Sequence, residues 1–333
     1  VIKFRYSSHH NATSANINMR RFSSTCVHHF SKACTNNRRR DHAFSTYGAW
    51  VAPKERRTGA GGMSVFGAYA QQYASSRPTY PAAFWDMVVS TVVDTSAQAA
   101  PYTAVDIACG AGVGALELWR RGLCVTAVDL DDLMLKELCR MHTQQHMPTD
   151  SAYRIEIVQA AAEDTGLPSG SADLIVALQS FHWFEASTAL REFRRVLKPE
   201  GVLVCAWNDR DLSLGWVRRL EGIFEKYNPA YNRSLKQAET ITQNGSAFTS
   251  GGLFQLMRPM QVYNQVQVLT RGATSLCQLN RTLSYVQNAL DEPQRHQLES
   301  EVEEVVRQEF GSTDSPIDFP WQTKAFFLKL ATS

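Results

Sequence analysis

The chain predicts an α/β protein on a doubly wound, mostly parallel sheet of seven strands, with a helical insert near the C-terminus. Three observations carry this prediction. Short apolar runs alternate with stretches of helical period from residue 82 to residue 207, as expected for parallel strands buried on both faces and joined by right-handed crossovers. A glycine-rich turn follows the first of these runs, which is where an open parallel sheet receives its ligand. After Trp207 the alternation gives way to amphipathic segments and loops.

The elements follow in order. Residues 82–93, after Pro81, are apolar on one helical face, and proline is at home at a helix start. Strands are then expected at 104–107, 124–128, 155–159, 173–178 and 202–207, with helices at 114–121, 133–146 and 186–196. Residues 210–260 read as helices and loops. Residues 261–269 alternate like an exposed strand, 284–310 read as one or two charged amphipathic helices, and 325–330 supply a last strand.

Composition bounds what this scaffold can be. With 333 residues, 44% hydrophobic and 20% charged, the chain can bury a sizeable core. The charge is uneven: residues 1–57 hold eleven Lys or Arg against two acids, which leaves 23 basic and 30 acidic side chains and a net of −7 for residues 58–333. An acidic body weighs against a nucleic-acid partner. The organisation expected is a disordered basic segment over 1–60 and one domain over 61–333, with its core at 102–207 and a variable insert at about 208–320. The first segment, rich in Arg, Ser, His and Asn, has the composition of a mitochondrial or plastid transit peptide; without that role the chain would be cytoplasmic. No apolar run approaches the ~18 residues of a membrane span, so integral membrane association is not expected. The seven cysteines contain no Cys-x-x-Cys pair and read as reduced, mostly buried thiols, Cys109 among them as a packing residue. No metal centre is expected.

The chemistry concentrates in Asp106-Ile107-Ala108-Cys109-Gly110-Ala111-Gly112-Val113-Gly114 and in Asp129 at the end of the second strand. Glycines there let the backbone approach a ligand, and a carboxylate at this offset accepts hydrogen bonds from a ribose diol. The spacing is G-x-G-x-G rather than G-x-G-x-x-G, and no Lys-Ser or Lys-Thr pair opens the next helix. Both features favour an adenosine ligand without phosphates over a dinucleotide or a nucleoside triphosphate.

Five motifs in order then resemble the class I S-adenosyl-L-methionine-dependent methyltransferases, specifically the type-11 methyltransferase domain and its trans-aconitate methyltransferase-like group. They are Tyr69-Ala70 with Arg77-Pro78-Thr79-Tyr80-Pro81; Asp106 to Gly112; Ala162-Glu163-Asp164-Thr165-Gly166-Leu167-Pro168; Gln179-Ser180-Phe181-His182-Trp183-Phe184; and Glu192 to Gly201 with Trp207. The resemblance covers about residues 64–333 and implies a Rossmann-like methyltransferase fold. It implies S-adenosyl-L-methionine as cofactor and a small-molecule acceptor, methylated most simply on a carboxylate oxygen of an organic acid. An organellar methyltransferase of quinone or other isoprenoid-derived rings, and a non-catalytic cofactor-binding relative, are the alternatives.

The resemblance also implies roles. Asp106 faces the methionine ammonium of the cofactor; Ala108, Gly110 and Gly112 form the close-approach turn; Asp129 takes the ribose hydroxyls and Leu130 packs on the adenine ring. Glu163 or Asp164 lies near the adenine amino group, and Gln179 lines the junction of cofactor and acceptor. Tyr69, Tyr73, Arg77 and Tyr80 form a lid, with Tyr73 and Arg77 on the cofactor, Tyr69 and Arg77 on the acceptor, and Arg77 a candidate for its carboxylate. His182 and Trp183 face the acceptor, His182 orienting it rather than acting as a base, because an ionised carboxylate needs none. Insert aromatics such as Trp216, Phe224, Tyr231 and Tyr263 could line an acceptor pocket, and Arg258, Arg271 and Arg281 could select an acid. Ala108 departs from the family, which has glycine there; alanine is tolerated only where φ is negative.

Overall fold

The computed structural model describes residues 70–93, 101–144, 153–228, 245–283, 286 and 289–332. The basic N-terminal segment with its targeting role, Tyr69 and Tyr231 lie outside the described residues.

Five parallel strands make one side of the sheet: β1 (Thr103–Ile107), β2 (Cys124–Asp129), β3 (Ile155–Gln159), β4 (Ala172–Leu178) and β5 (Leu197–Arg210). Three more, β6 (Phe254–Leu256), β7 (Gln261–Leu269) and β8 (Ile317–Leu330), join antiparallel. The order is β3-β2-β1-β4-β5-β8-β6, with β7 also on β8. Eight strand segments therefore replace the expected seven. The extra one arises because β8 is long enough to pair β7 through Ile317–Ala325 and β6 through Leu328–Leu330 along the same edge. Pro259 stands between β6 and β7, where it cannot donate to a ladder, so one edge is built in two pieces.

Helices cover both faces. Ahead of the sheet come α1 (Ala70–Ser76) and α2 (Ala82–Ser90); α3 (Val113–Arg120), α4 (Asp132–Thr143) and α5 (Ala186–Val196) are the crossovers. Local chemistry sets their starts. The Asp131 carboxylate accepts the amides of Leu133 and Met134 at 3.0 and 3.4 Å, and Glu185 does the same for Ser187 and Thr188. Each fills donors that the first turn leaves open, an effect of about 1 kcal/mol per cap. Along β4, Leu174 and Val176 pack with Leu116, Trp119, Leu135 and Phe84, whereas Ile175 and Ala177 pack with Leu190, Phe193 and Phe248. The period of two thus divides one strand between two cores.

The C-terminal part mixes helices with strands: β7 spans the Gln261–Leu269 stretch whose alternation predicts a strand, and β6 is added to it. Its helices are α6 (Gly215–Tyr227), the single turn α7 (Ser246–Thr249), α8 (Gly272–Arg281) and α9 (Glu292–Phe310). Helices α6, α8 and α9 share a separate core of Trp216, Leu220, Phe224, Leu276, Val302 and Val306 with Phe319 from β8. Helix α9 opens with a reciprocal Asp291/Gln294 capping box and closes on Gly311 at φ 73. Among the described residues no helix is long and apolar enough to cross a membrane.

Candidate active site

The sheet runs outward in opposite directions from β1 and β4, and at their carboxyl ends lies a cavity. It is lined by Arg77, Tyr80, Asp106, Ala108, Gly110, Leu178, Gln179 and Asn208, with Tyr73 and Cys109 beside them, and encloses about 60 Å³. That is room for a polar headgroup, and the cavity opens to solvent on its outer side. The switch point of a doubly wound sheet is where such a site is expected.

Asp106, the penultimate residue of β1, is 1% exposed, and its Oδ2 has no hydrogen-bond partner. Burial and then the charge of Asp129 push its carboxyl up to about 8, against a hydrogen bond from the Ala115 amide that holds it down. It fits there only because Gly114 carries no side chain: a Cβ would stand 2.7 Å from Asp106 Oδ2 and 2.7 Å from Leu178. The third glycine of the G-x-G-x-G spacing thus makes room for a carboxylate.

Asp129 ends β2 in a different state. It is half-buried, with Oδ2 accepting the Gly110 amide at 2.7 Å and Oδ1 the Asp131 amide at 2.9 Å. Burial raises its pKa, and these amides oppose the rise. The carboxylate therefore clamps the glycine turn, and each oxygen keeps a lone pair for a diol. Next to it Leu130 is 69% exposed, an apolar platform beside that carboxylate. Gln159 holds the Leu130 carbonyl from β3 at 3.1 Å.

The turn itself corrects one expectation. Ala108 does not have negative φ: it sits at +53°, and Gln179, after β4, at +56°. They are the two non-glycine residues in the left-handed region among the described residues, and both line the cavity. Each costs about 1 kcal/mol relative to glycine, and such strain gathers where a site dictates the backbone. Gln179 is held by its own amide on Ala206 O at 2.8 Å and by its side-chain Nε2 on Asn208 O at 2.9 Å. A Cβ on Gly110, at φ +53°, would meet nothing within 4 Å. Its requirement is conformational, with open space left on the ligand side.

A strap of residues 70–80 closes the cavity. Helix α1 and the segment after it reach the C-terminal part through Gln72 Nε2 to Gln278 O (3.3 Å) and Arg77 Nη2 to Thr282 O (3.1 Å). From the sheet, Gln267 Nε2 reaches Ser76 O (3.0 Å), while Gln265 Nε2 (2.8 Å) and Asn208 Nδ2 (3.0 Å) both reach Thr79 O. The Arg77 guanidinium lies 4.7 Å from the centre of the Tyr73 ring. Asn208, which the sequence motifs do not include, is 6% exposed and also accepts from Gln265 at 3.2 Å and Thr323 at 2.5 Å. No sequence spacing marks it.

Other expected residues fall elsewhere. Asp164 is exposed and its charge acts on Arg195, while Glu163 Oε1 accepts the Glu185 amide at 2.8 Å; neither lines the enclosed cavity. His182, on the short turn Phe181–Trp183 after β4, accepts the Trp207 indole N–H on Nδ1 at 3.2 Å. Burial lowers its pKa to about 4, so at neutral pH its proton sits on Nε2 and the ring is a donor. Trp183 is 37% exposed. The insert aromatics serve packing: Trp216 and Phe224 in the α6–α9 core, Phe248 and Phe254 against the sheet. Two of the three arginines are engaged as well, Arg281 with Glu299 and Arg258 over Phe327, while Arg271 is exposed at the start of α8 and does not line the cavity. Among the described residues no cluster of His, Cys, Asp and Glu could hold a metal ion.

Comparison with known proteins bears on the same region. Residues 105–205 match the family described as a methyltransferase domain. An uncharacterised methyltransferase of Mycobacterium tuberculosis is 34% identical over 155 residues, which is 46% of this chain and 56% of that protein, so the match spans about half the relative's length. An uncharacterised methyltransferase-like protein of Schizosaccharomyces pombe is 26% identical over 272 residues, 79% of this chain and 94% of its own. A solved structure from Anaeromyxobacter dehalogenans, whose name assigns it to the type II methyltransferases, superposes with TM-score 0.51 at 21% identity over 75% of this chain and 97% of that one. It shares the fold.

Proposed function

We propose, from a class I methyltransferase domain over residues 105–205, that the protein transfers a methyl group from S-adenosylmethionine to a small-molecule acceptor, on a carboxylate oxygen. The cofactor fits the residues present. Asp129 would hold its ribose and Leu130 its adenine, and Asp106, whose Oδ2 has no partner, would meet its amino-acid end. The bound cofactor supplies a sulfonium methyl as electrophile; the chain supplies placement and exclusion of water.

The choice of acceptor rests on one observation: among the described residues, the histidine expected at the site is no base suited to neutral pH. His182 Nδ1 is occupied by Trp207 and its pKa is about 4, while Asp106 faces the cofactor. An acceptor that arrives ionised, with a pKa below neutral, needs no proton removed, and a carboxylate is such a nucleophile. The neutral His182 ring, donating from Nε2, orients an acceptor oxygen. Arg258 and Arg281 are engaged by Phe327 and Glu299, so charge recognition of the acceptor does not come from them.

A panel of organic acids, their methyl esters, phenols and quinone precursors, incubated with methyl-labelled cofactor, tests the reading. Label should enter free acids as base-labile esters and fail to enter the corresponding methyl esters. Label found only in phenols or ring carbons would overturn the carboxylate assignment.

A further inference from the structure

Strand β7 lies at an edge of the sheet: among the described residues its one partner is β8. The ladder shows which of its groups are left over. Pro320 O accepts the Asp211 amide at 3.3 Å, just past the end of β5, so residue 320 turns its backbone polar groups toward β5 and away from Val266, its neighbour in the register. Hydrogen-bonding direction alternates along an antiparallel pair. The N–H and C=O groups of Val262, Asn264, Val266 and Val268 therefore point to the open edge. The same residues carry exposed side chains, Val262 at 48%, Val266 at 60% and Val268 at 58%. Native strand edges are commonly guarded by a charge, a proline or a bulge. Residues 261–269 hold no charge and no proline, and their register with β8 runs unbroken. An edge so bare is built to be paired.

We propose that β7 pairs antiparallel with β7 of a second copy of this chain, forming a two-fold dimer with Gln265 on the axis. Paired residues share a face of a sheet, so the axis must pass through a residue, and at Gln265 the pairing uses the whole strand. Val262 then faces Val268 of the partner subunit, and Asn264 faces Val266 of the partner subunit. Each such pair exchanges two N–H···O bonds, which satisfies every outward group. Charge follows the same symmetry. On β8, Asp318 flanks Val268, and Lys324, which also bonds Asp209 at 2.9 Å, flanks Val262. Each outer row across both copies thus runs from an acid through two valines to a lysine, with no like charges adjacent. The strand carries no charge by which to select a foreign partner, whereas its valines and flanking charges match under its own two-fold. The opposite face of β7 carries Gln265 and Gln267, which hold Thr79 and Ser76 of the strap, so one continuous ladder would join the anchors of both straps.

Sedimentation velocity on the full chain tests the pairing. Wild type should sediment as a dimer at micromolar concentration. Val266→Pro removes an N–H that takes no part in the β8 ladder, so it should keep the fold while weakening the dimer by about tenfold or more. A second set of variants changes exposed side chains alone and decides the matter if the proline variant melts early. Val262→Lys/Val268→Lys and Val262→Glu/Val268→Glu each set like charges against each other across the axis, and a mixture of the two sets opposite charges there. Each alone should dimerise about three- to tenfold more weakly than wild type, and mixing should recover the loss as a heterodimer. A monomeric wild type overturns the proposal, the edge then being covered by another segment of the chain or by a different protein. A dimer that gains nothing on mixing overturns it as well, because its interface lies elsewhere.

Discussion

Two aspartates end neighbouring strands and do opposite things. Asp129, at the end of β2, is half-buried with each oxygen on a backbone amide, at 2.7 and 2.9 Å; its carboxylate is part of what holds the glycine turn. Asp106, on β1, is sealed, its Oδ2 unpartnered and its carboxyl raised to about 8. One carboxylate stabilises the fold and has acceptor capacity to spare. The other burdens the fold and awaits a cation. Strand-end acids are therefore not one kind of residue: what decides is whether local amides reach them before the ligand does.

Substituting each aspartate is the most severe test of this contrast. Asp129→Ala should weaken S-adenosylhomocysteine binding by about 100-fold or more, the worth of two hydrogen bonds to a charged group, and should also lower thermal stability by about 1–3 kcal/mol because the Gly110 and Asp131 amides lose their acceptor. Asp106→Asn should cost about tenfold or more in affinity while leaving stability at pH 8 unchanged or higher. Loss of stability in both variants would erase the distinction.

The next effect is in pH. Asp106 holds its proton in the folded chain up to about 8 but releases it near 4 when unfolded. The folded state therefore binds more protons through that window, and its stability declines as pH rises from about 4 to about 8. Cofactor affinity should move the other way, rising toward pH 8 as the carboxylate ionises to meet the ammonium. Calorimetry at pH 6, 7 and 8 should show this rise in wild type and a flat profile in Asp106→Asn; a rise of equal size in both would assign the titration to another group.

Smallest is the backbone effect. Ala108→Gly should relieve the left-handed conformation at φ +53° and, after the extra freedom glycine gives the unfolded chain, stabilise by about 0.5–1 kcal/mol. A thermal melt should rise by about 1–3 °C. A fall would show that the alanine methyl packs usefully in the turn.

The parallel half is legible in the sequence because its signal is local. The third strand, Ile155–Gln159, and the helix Ala186–Val196 begin and end where their apolar periods do. The apolar pattern marks the last strand only from residue 325, yet β8 begins at Ile317. Its first half carries Pro320 and a fully buried Thr323, whose hydroxyl donates to Asn208 Oδ1 at 2.5 Å, and these residues break the apolar pattern. Arg281 and Arg258 mislead for a similar reason: Glu299 and Phe327 lie distant in sequence, and periodicity says nothing about such partners. The positive φ of Ala108 is invisible to composition. The cavity's most informative feature, a buried Asp106 Oδ2 without a partner, is a statement about what is absent around it, and only coordinates record that.

The strap has one more property. Gln278, Thr282, Ser76 and Thr79 all take part in holding it through their main-chain carbonyls, while the side chains that do the reaching belong to Gln72, Arg77, Asn208, Gln265 and Gln267. An alanine scan of Gln278, Ser76 and Thr79 would leave every one of these bonds in place and report a silent surface. The fastening is readable by mutation from one side only, so residues 76, 79 and 278 are free to drift in identity while the closure persists; Thr282, buried and with its hydroxyl on Leu279 O, is not.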